Sequence, residues 1–311
     1  MLLRRSAICV GLAVLALVLL PSVAHAWTPG THIFLGESVL ANLSQLPALV
    51  ADLLRAFPYD FLYGSIAADT SIAKKYAPVG RHCHSWQVGQ EILDRAENDA
   101  LRSFGLGYLA HLAADAVAHN FYVPRQLVVT SSTIALGHSY WESRFETHLG
   151  DVYAREAVDL IRRDHTAADT LLDRVLAPTI FSVRTSRRLF RGMVSLTETQ
   201  SWQRAFQILA EKSRWDLSAE MVESHVSVAY QLIMEVLGDE AGLARRLDPS
   251  GDASLRLAKR IRLDVMRNRI PRDPRRLSAF ASKHFGLPTY RLGLWDGSVH
   301  QNPWRNGNGG G

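Results

Sequence analysis

Along most of the chain the apolar positions recur near the 3.6-residue period of a helix. Between residues 33 and 57, Phe34, Leu35, Val39, Leu40, Leu43, Leu46, Leu49, Val50, Leu53 and Leu54 keep that period until Pro47 interrupts it, which predicts one broken helix or two. Thr28, Pro29, Gly30 and Thr31, just ahead, read as a tight turn. Residues 61–68 form a short apolar stretch ending at Asp69, and a loop with lysines, Pro78 and Gly80 follows. Residues 86–103 predict one amphipathic helix, with Val88, Ile92, Leu93, Ala96 and Leu101 on one face and Glu91, Asp94, Arg95 and Glu97 on the other. Residues 104–122 are almost wholly apolar, Pro124 is expected to end that helix, and 127–133 read as irregular. A long helix is predicted over 138–163, and others over 171–176, 185–196, 202–209, 217–237 and 255–266. No alternating stretch is long enough to argue for a sheet, so the expected fold class is all-α.

Three ionisable residues break the apolar run at 104–122: His111, Asp115 and His119. Each step of four residues turns a helical side chain by only about 40°, so all three project from one face. An uncompensated buried carboxylate costs several kcal/mol, and such burial is tolerated when the group is paired or holds a metal. His138 and Glu142 repeat the four-residue spacing on a second helical segment. Paired sets of His and carboxylate on helices point to a metal such as zinc. His148, His165, His225, His284 and His300 are scattered without a carboxylate at helical spacing on an apolar face and read as surface or core residues.

Composition narrows the picture. Arg4 and Arg5, an apolar run to Leu20, Pro21 and the small-x-small Ala24-His25-Ala26 predict a cleaved signal peptide over 1–26, with an uncleaved anchor as the rival reading. Its removal takes two arginines and no acid, so the formal net charge of +5 falls to +3. That excludes a charge-driven nucleic-acid binder. The export reading places the protein in a periplasm or outside the cell. It leaves Cys83 alone, without an internal disulfide, so that metal ions are the expected staple. The expected organisation is a metal-binding catalytic domain over 27–245, a basic helical extension over 246–305 and a disordered, glycine-rich tail over 306–311. Pro249-Ser250-Gly251 is the one candidate linker.

Taken in order, Trp27, His32, Asp69, His84, His111, Asp115, His119, His138 and Glu142 resemble the ligand set of the zinc-dependent phospholipase C family, which shares its trinuclear fold with fungal single-strand-specific zinc nucleases. The resemblance runs from Trp27 to about residue 150. It implies up to three zinc ions: one held by Asp69, His84, His111 and Asp115; a second bridged by Asp115 and bound by His32 and by the α-amine and carbonyl of Trp27; a third held by His119, His138 and Glu142. The spacings of Trp27 to His32 and of Asp69 to His84 are nuclease-like, whereas Glu142 is phospholipase-like. His119 lies nearer Asp115 than in either relative. Gly30 stands where the Bacillus phospholipase has an acid that helps recognise choline.

The implied task is hydrolysis of a phospholipid or another phosphodiester by a metal-activated water, with a zinc nuclease acting on nucleic acid, or a non-catalytic envelope protein stabilised by zinc, as the alternatives. Asp69 either handles the water's proton or only holds zinc. His82 is the alternative to His84, and Cys83 reads as a small buried hydrophobe. Phe121, Tyr122, Tyr140 and Trp141 line a substrate pocket or belong to the core. The arginines between 256 and 276 read as a solvated face or as a contact for anionic lipid headgroups.

Overall fold

Capping residues and prolines divide the chain where periodicity alone runs its elements together. The structure is a computed structural model, and it describes residues 27–288 apart from 73, 79, 132–136, 198–203, 205–206, 209–210, 212, 214 and 239–241. The predicted signal segment, the glycine-rich tail, His300 and most of the helix expected over 202–209 lie outside the described residues. All regular elements among the described residues are helical.

Pro29 is not in a free turn but opens α1, Pro29–Ala41, because proline's missing N–H costs nothing in the first helical turn. Pro47 separates α1 and a short 3₁₀ turn from α2, Ala48–Ala56. Pro58 starts α3, Pro58–Ala67, and a 3₁₀ turn carries Asp69 beyond it. The single helix expected over 86–103 is two, α4, Trp86–Asp94, and α5, Asp99–Val117. Asn98 divides them: its side chain accepts the Leu101 N–H, the N-cap bond that starts a helix.

Pro124 does not end the following helix either. The chain passes from α5 through a π-helical segment, Ala118–Tyr122, into α6, Val123–Val129, whose last turn takes in the start of the 127–133 stretch expected to be irregular. The Val123 N–H reaches back five residues to the Ala118 carbonyl. The helix expected over 138–163 is broken at Gly150, giving α7, His138–Glu146, and α8, Asp151–Ile161. Then follow α9, Thr166–Val175, α10, Val183–Thr197, and α11, Ala219–Leu237. The chain continues through α12, Asp252–Met266, and α13, Pro274–Phe285, whose Asp273 side chain caps its start.

At the centre lies α5, fifteen of its nineteen residues buried, packed against α3, α4 and α11. Two glycines set its distance from α3. A Cβ on Gly107 would overlap the Phe61 carbonyl and one on Gly64 the Phe104 carbonyl, so the two backbones touch where neither residue has a side chain. That approach carries the end of α3, and Asp69 after it, to the polar face of α5. The basic C-terminal helices α12 and α13 both rest on α6, with Ala258, Ile261, Val265, Leu277, Ala281 and Phe285 in the common core.

Gly107→Ala is therefore expected to cost about 3 kcal/mol, the upper range for overpacking against backbone that cannot yield. Gly192→Ala is the control, since a Cβ there meets nothing within 4 Å on the exposed side of α10, and it should stabilise by up to about 1 kcal/mol. Denaturant unfolding of the two variants measures both effects. Equal shifts would mean that the α3–α5 approach sets nothing.

Candidate metal centre

The central helix delivers His111 and Asp115 fully buried, and the turn after α3 brings Asp69, also fully buried, beside them. His84, from the loop before α4, completes the group. These four side chains place their potential ligand atoms within 4.8 Å of one another. A second group of the same tightness joins His119 of the π segment to His138 and Glu142 at the start of α7, where His138 Nε2 is 2.7 Å from Glu142 Oε1. The groups are contiguous. Ring centroids run from His32 to His111 at 4.0 Å, His111 to His84 at 5.0 Å, His84 to His119 at 5.9 Å and His119 to His138 at 5.4 Å.

The outer nitrogens of three of these rings are tied down. His111 Nδ1 donates to the Ser65 carbonyl at 2.8 Å and His119 Nδ1 to the Pro249 carbonyl at 2.6 Å, while His84 Nδ1 lies 3.2 Å from the Cys83 thiol. Such anchoring orients each ring and turns its Nε2 inward, where it is a lone pair whenever the ring is neutral. The His111 lone pair then faces His84 Nε2 and Asp115 Oδ2, each 3.1 Å away. Asp115 Oδ1 faces His32 Nε2 at 3.2 Å and Oδ2 faces His84 Nε2 at 2.6 Å, yet neither oxygen accepts a hydrogen bond of ordinary geometry. Acceptors gathered in this way call for a cation among them, and the N and O donors suit zinc.

The electrostatics carry the same demand. Burial alone would raise the Asp115 carboxyl, but the charges of His111 and His84 outweigh it and hold the group well below the usual carboxylate range. Burial and the Lys74 ammonium work against a charge on His84, yet Cys83 and Asp115 prevail and lift its pKa well above the ordinary value. Burial takes His32 down to about 4 and His119 down to about 3. Both are thus neutral near pH 7, the state a metal ligand requires.

His84 rather than His82 stands with Asp69, His111 and Asp115. His82 is half-buried, its Nδ1 accepts the backbone N–H of His84, and with Cys83 and His84 it forms a third potential ligand group. Trp27 is fully buried, its indole stacked on Phe145 at 5.2 Å and edge-on to His32 at 6.4 Å. Tyr122, Tyr140 and Trp141 are buried core side chains, the Tyr122 hydroxyl donating to the Trp141 carbonyl, and Phe121 packs half-buried against the same core.

Two residues outside the sequence-derived set act here. Lys74 Nζ donates to Asp69 Oδ1 at 2.6 Å and lies 3.1 Å from His84 Nε2, placing an ammonium inside the first group. A lysine in a polar loop gives no periodic signal. Glu146 accepts from the Thr28 hydroxyl and from the backbone N–H groups of Gly30 and Thr31 at the start of α1. A Cβ on Gly30 would overlap that carboxylate, so Gly30 is bare to admit Glu146. Its signal was available, four residues beyond Glu142 on the same helix face. The segment marked as a linker also reaches the site: Gly251, at φ 58°, packs on His119, where a Cβ would overlap that residue's own Cβ.

Residues 31–178 match the family described as zinc dependent phospholipase C. That span contains every candidate ligand except Trp27. No curated protein and no solved structure matches the chain.

Replacing Asp115 by Ala should release the metal at two positions, because its two oxygens face different donor sets, whereas Glu142→Gln should weaken only the His119 and His138 position. Metal counting on both proteins separates the cases, and equal loss in the two would deny the division. Lys74→Met removes a cation from beside Asp69 and His84. At such distances a unit charge is worth a few kcal/mol at an effective dielectric near 20, so zinc should bind the first group at least about tenfold more tightly. Competitive titration with a chelator reads that change.

Proposed function

From the zinc-dependent phospholipase C family sequence carried by residues 31–178, we propose that the protein is an exported zinc-dependent hydrolase that cleaves the phosphodiester of phospholipids. The observation that carries this reading is the contiguity of the two ligand groups through His84 and His119, 5.9 Å apart between ring centroids. Separate structural metal sites need no such contact, whereas one phosphate spanning several ions does.

In this reading Asp69, His84, His111 and Asp115 would hold one zinc. Asp115 would share a second with His32 and the N-terminal amine and carbonyl of Trp27, and His119, His138 and Glu142 would hold a third. Bound zinc supplies Lewis acidity toward the phosphoryl oxygens and brings the pKa of a water toward neutrality. The chain's own residues do the rest. Asp69, its Oδ1 fixed by Lys74, takes the proton of the attacking water. The water oxygen then bonds to phosphorus in line with the P–O bond to glycerol that breaks, and the departing oxygen takes up the proton carried by Asp69, releasing diacylglycerol and a phosphorylated headgroup. Ser65 and Pro249, by accepting from His111 and His119, hold two imidazoles in the tautomer that faces inward.

A nuclease reading has two specific supports, the five-residue step from Trp27 to His32 and the separation of Asp69 from His84. Release of diacylglycerol from phospholipid supports the lipase, and cleavage of single-stranded DNA supports the nuclease. Failure of both with zinc loaded would favour a non-catalytic role.

The Trp27 assignment requires a free α-amine, whose ordinary pKa of about 7.7 to 8.0 is close enough to neutrality for a metal to displace the proton. Trp27 is fully buried, so a preceding residue would also have to leave a closed site. A form retaining one extra residue before Trp27 is expected to bind fewer zinc ions and lose most hydrolysis, whereas Trp27→Phe with the correct N-terminus keeps much of both. Equal zinc content and turnover in the extended form would overturn the assignment.

A further inference from the structure

We propose that the outer face of α12 and α13 is a docking surface for anionic phospholipid bilayers, which presents the metal centre to its substrate. The inference rests on the hydrolase reading for its purpose but not for its evidence. Residues 245–285 carry twelve Lys and Arg against four Asp and Glu, a net charge of +8 in a chain whose total is +5. The remainder of the protein is therefore slightly acidic, and the positive charge is concentrated on one part of the surface.

Each of the two helices arranges its charge in the same way. On α12 the buried stripe is Ala258, Ile261 and Val265. About half a turn away, Arg256, Arg260, Leu263 and Arg267 recur at steps of four, three and four residues and so form one outward line. On α13 the buried stripe is Leu277, Ala281 and Phe285, and Arg276, Phe280 and Lys283 form the outward line. In both, a large apolar side chain sits in solvent between two cations: Leu263 is 47% exposed and Phe280 37%. Leu257, 36% exposed, adds a third. Both helices rest on α6, and each outward line lies opposite its own helix's buried stripe.

Cations alone would suit any polyanion. Apolar side chains standing among them suit the boundary between headgroups and acyl chains, where an interfacial helix places its cations on phosphates and its apolar groups a few ångströms deeper. That combination favours a bilayer over nucleic acid. Proximity to the site supports the same occupant. Immediately before α12, the 248–251 turn is bound to the π segment: Asn120 donates to the Asp248 carbonyl at 2.8 Å, His119 donates to the Pro249 carbonyl, and the Ser254 hydroxyl is 3.1 Å from Asn120. A membrane held by α12 thus lies one turn of chain from a candidate metal ligand. No helix among the described residues is long and apolar enough to cross a membrane, so the contact is with the surface.

The test is sedimentation of the full zinc-loaded chain with vesicles of phosphatidylcholine alone and of phosphatidylcholine mixed with phosphatidylglycerol. Binding is expected only to the anionic vesicles and is expected to fall at high salt. Each cation at such a surface contributes about fivefold to partitioning, so the triple variant Arg260→Gln, Arg267→Gln, Lys283→Gln should weaken binding about 100-fold. Leu263→Ser with Phe280→Ser should weaken it about tenfold while the charge is unchanged. Helical circular dichroism and zinc content, unchanged in both variants, exclude misfolding. Equal binding to neutral vesicles, or variants that bind as the parent does, would overturn the proposal. So would single-stranded DNA that binds as tightly and is insensitive to the two serines. Hydrolysis of a soluble short-chain phosphodiester is measured in parallel: vesicle binding without hydrolysis would sink the hydrolase reading and leave the surface standing, and hydrolysis without vesicle binding would do the reverse.

Discussion

The structure depends on a carboxylate in the wrong solvent. Asp115 sits on the central helix with no exposure at all, and its pKa is held low rather than raised, so the surrounding fold has to supply positive charge. Three imidazoles converge on it from α1, from the loop before α4 and from one turn earlier on α5. The outer nitrogens of His84 and His111 are held by a thiol and a backbone carbonyl, so those two rings cannot turn away. What would be a liability of several kcal/mol in an ordinary core becomes a fixed pocket for a cation.

The sequence made the polar face of α5 legible because helical spacing converts directly into direction: His111 and Asp115, four residues apart, do meet in one cluster. It also marked His32, Asp69 and His84 through the order in which a known family arranges its ligands. The all-α class followed from period and from the lack of alternation. The aromatic residues beside the ligands had two readings, and burial puts Tyr122, Tyr140 and Trp141 in the core.

What could not be read was local backbone detail and long-range pairing. Asn98 splits an expected helix by a side-chain bond that no apolar period encodes. Pro124, ordinarily a stop signal, is accommodated because the π segment before it already departs from four-residue hydrogen bonding. His119 lies within that segment and groups with His138 and Glu142, as the family resemblance implied, while its ring stays 5.9 Å from that of His84. Lys74 and the Ser65 and Pro249 carbonyls enter the site from segments whose sequence carries no spacing signal, and the Gly64 and Gly107 contact is visible only once two helices are laid together.

The bond from His119 to Pro249 joins residues 130 positions apart, and the one from Thr28 to Glu146 joins residues 118 apart. Closing loops of that length costs entropy that only a largely formed core can offset. The metal centre is thus among the last parts of the molecule to acquire its shape during folding. A chain still folding offers an ion scattered imidazoles and carboxylates but not the two compact groups. Selectivity for the right ion is thereby a property of the finished fold, gained when the segments around Thr28 and Pro249 come to rest on the middle of the chain.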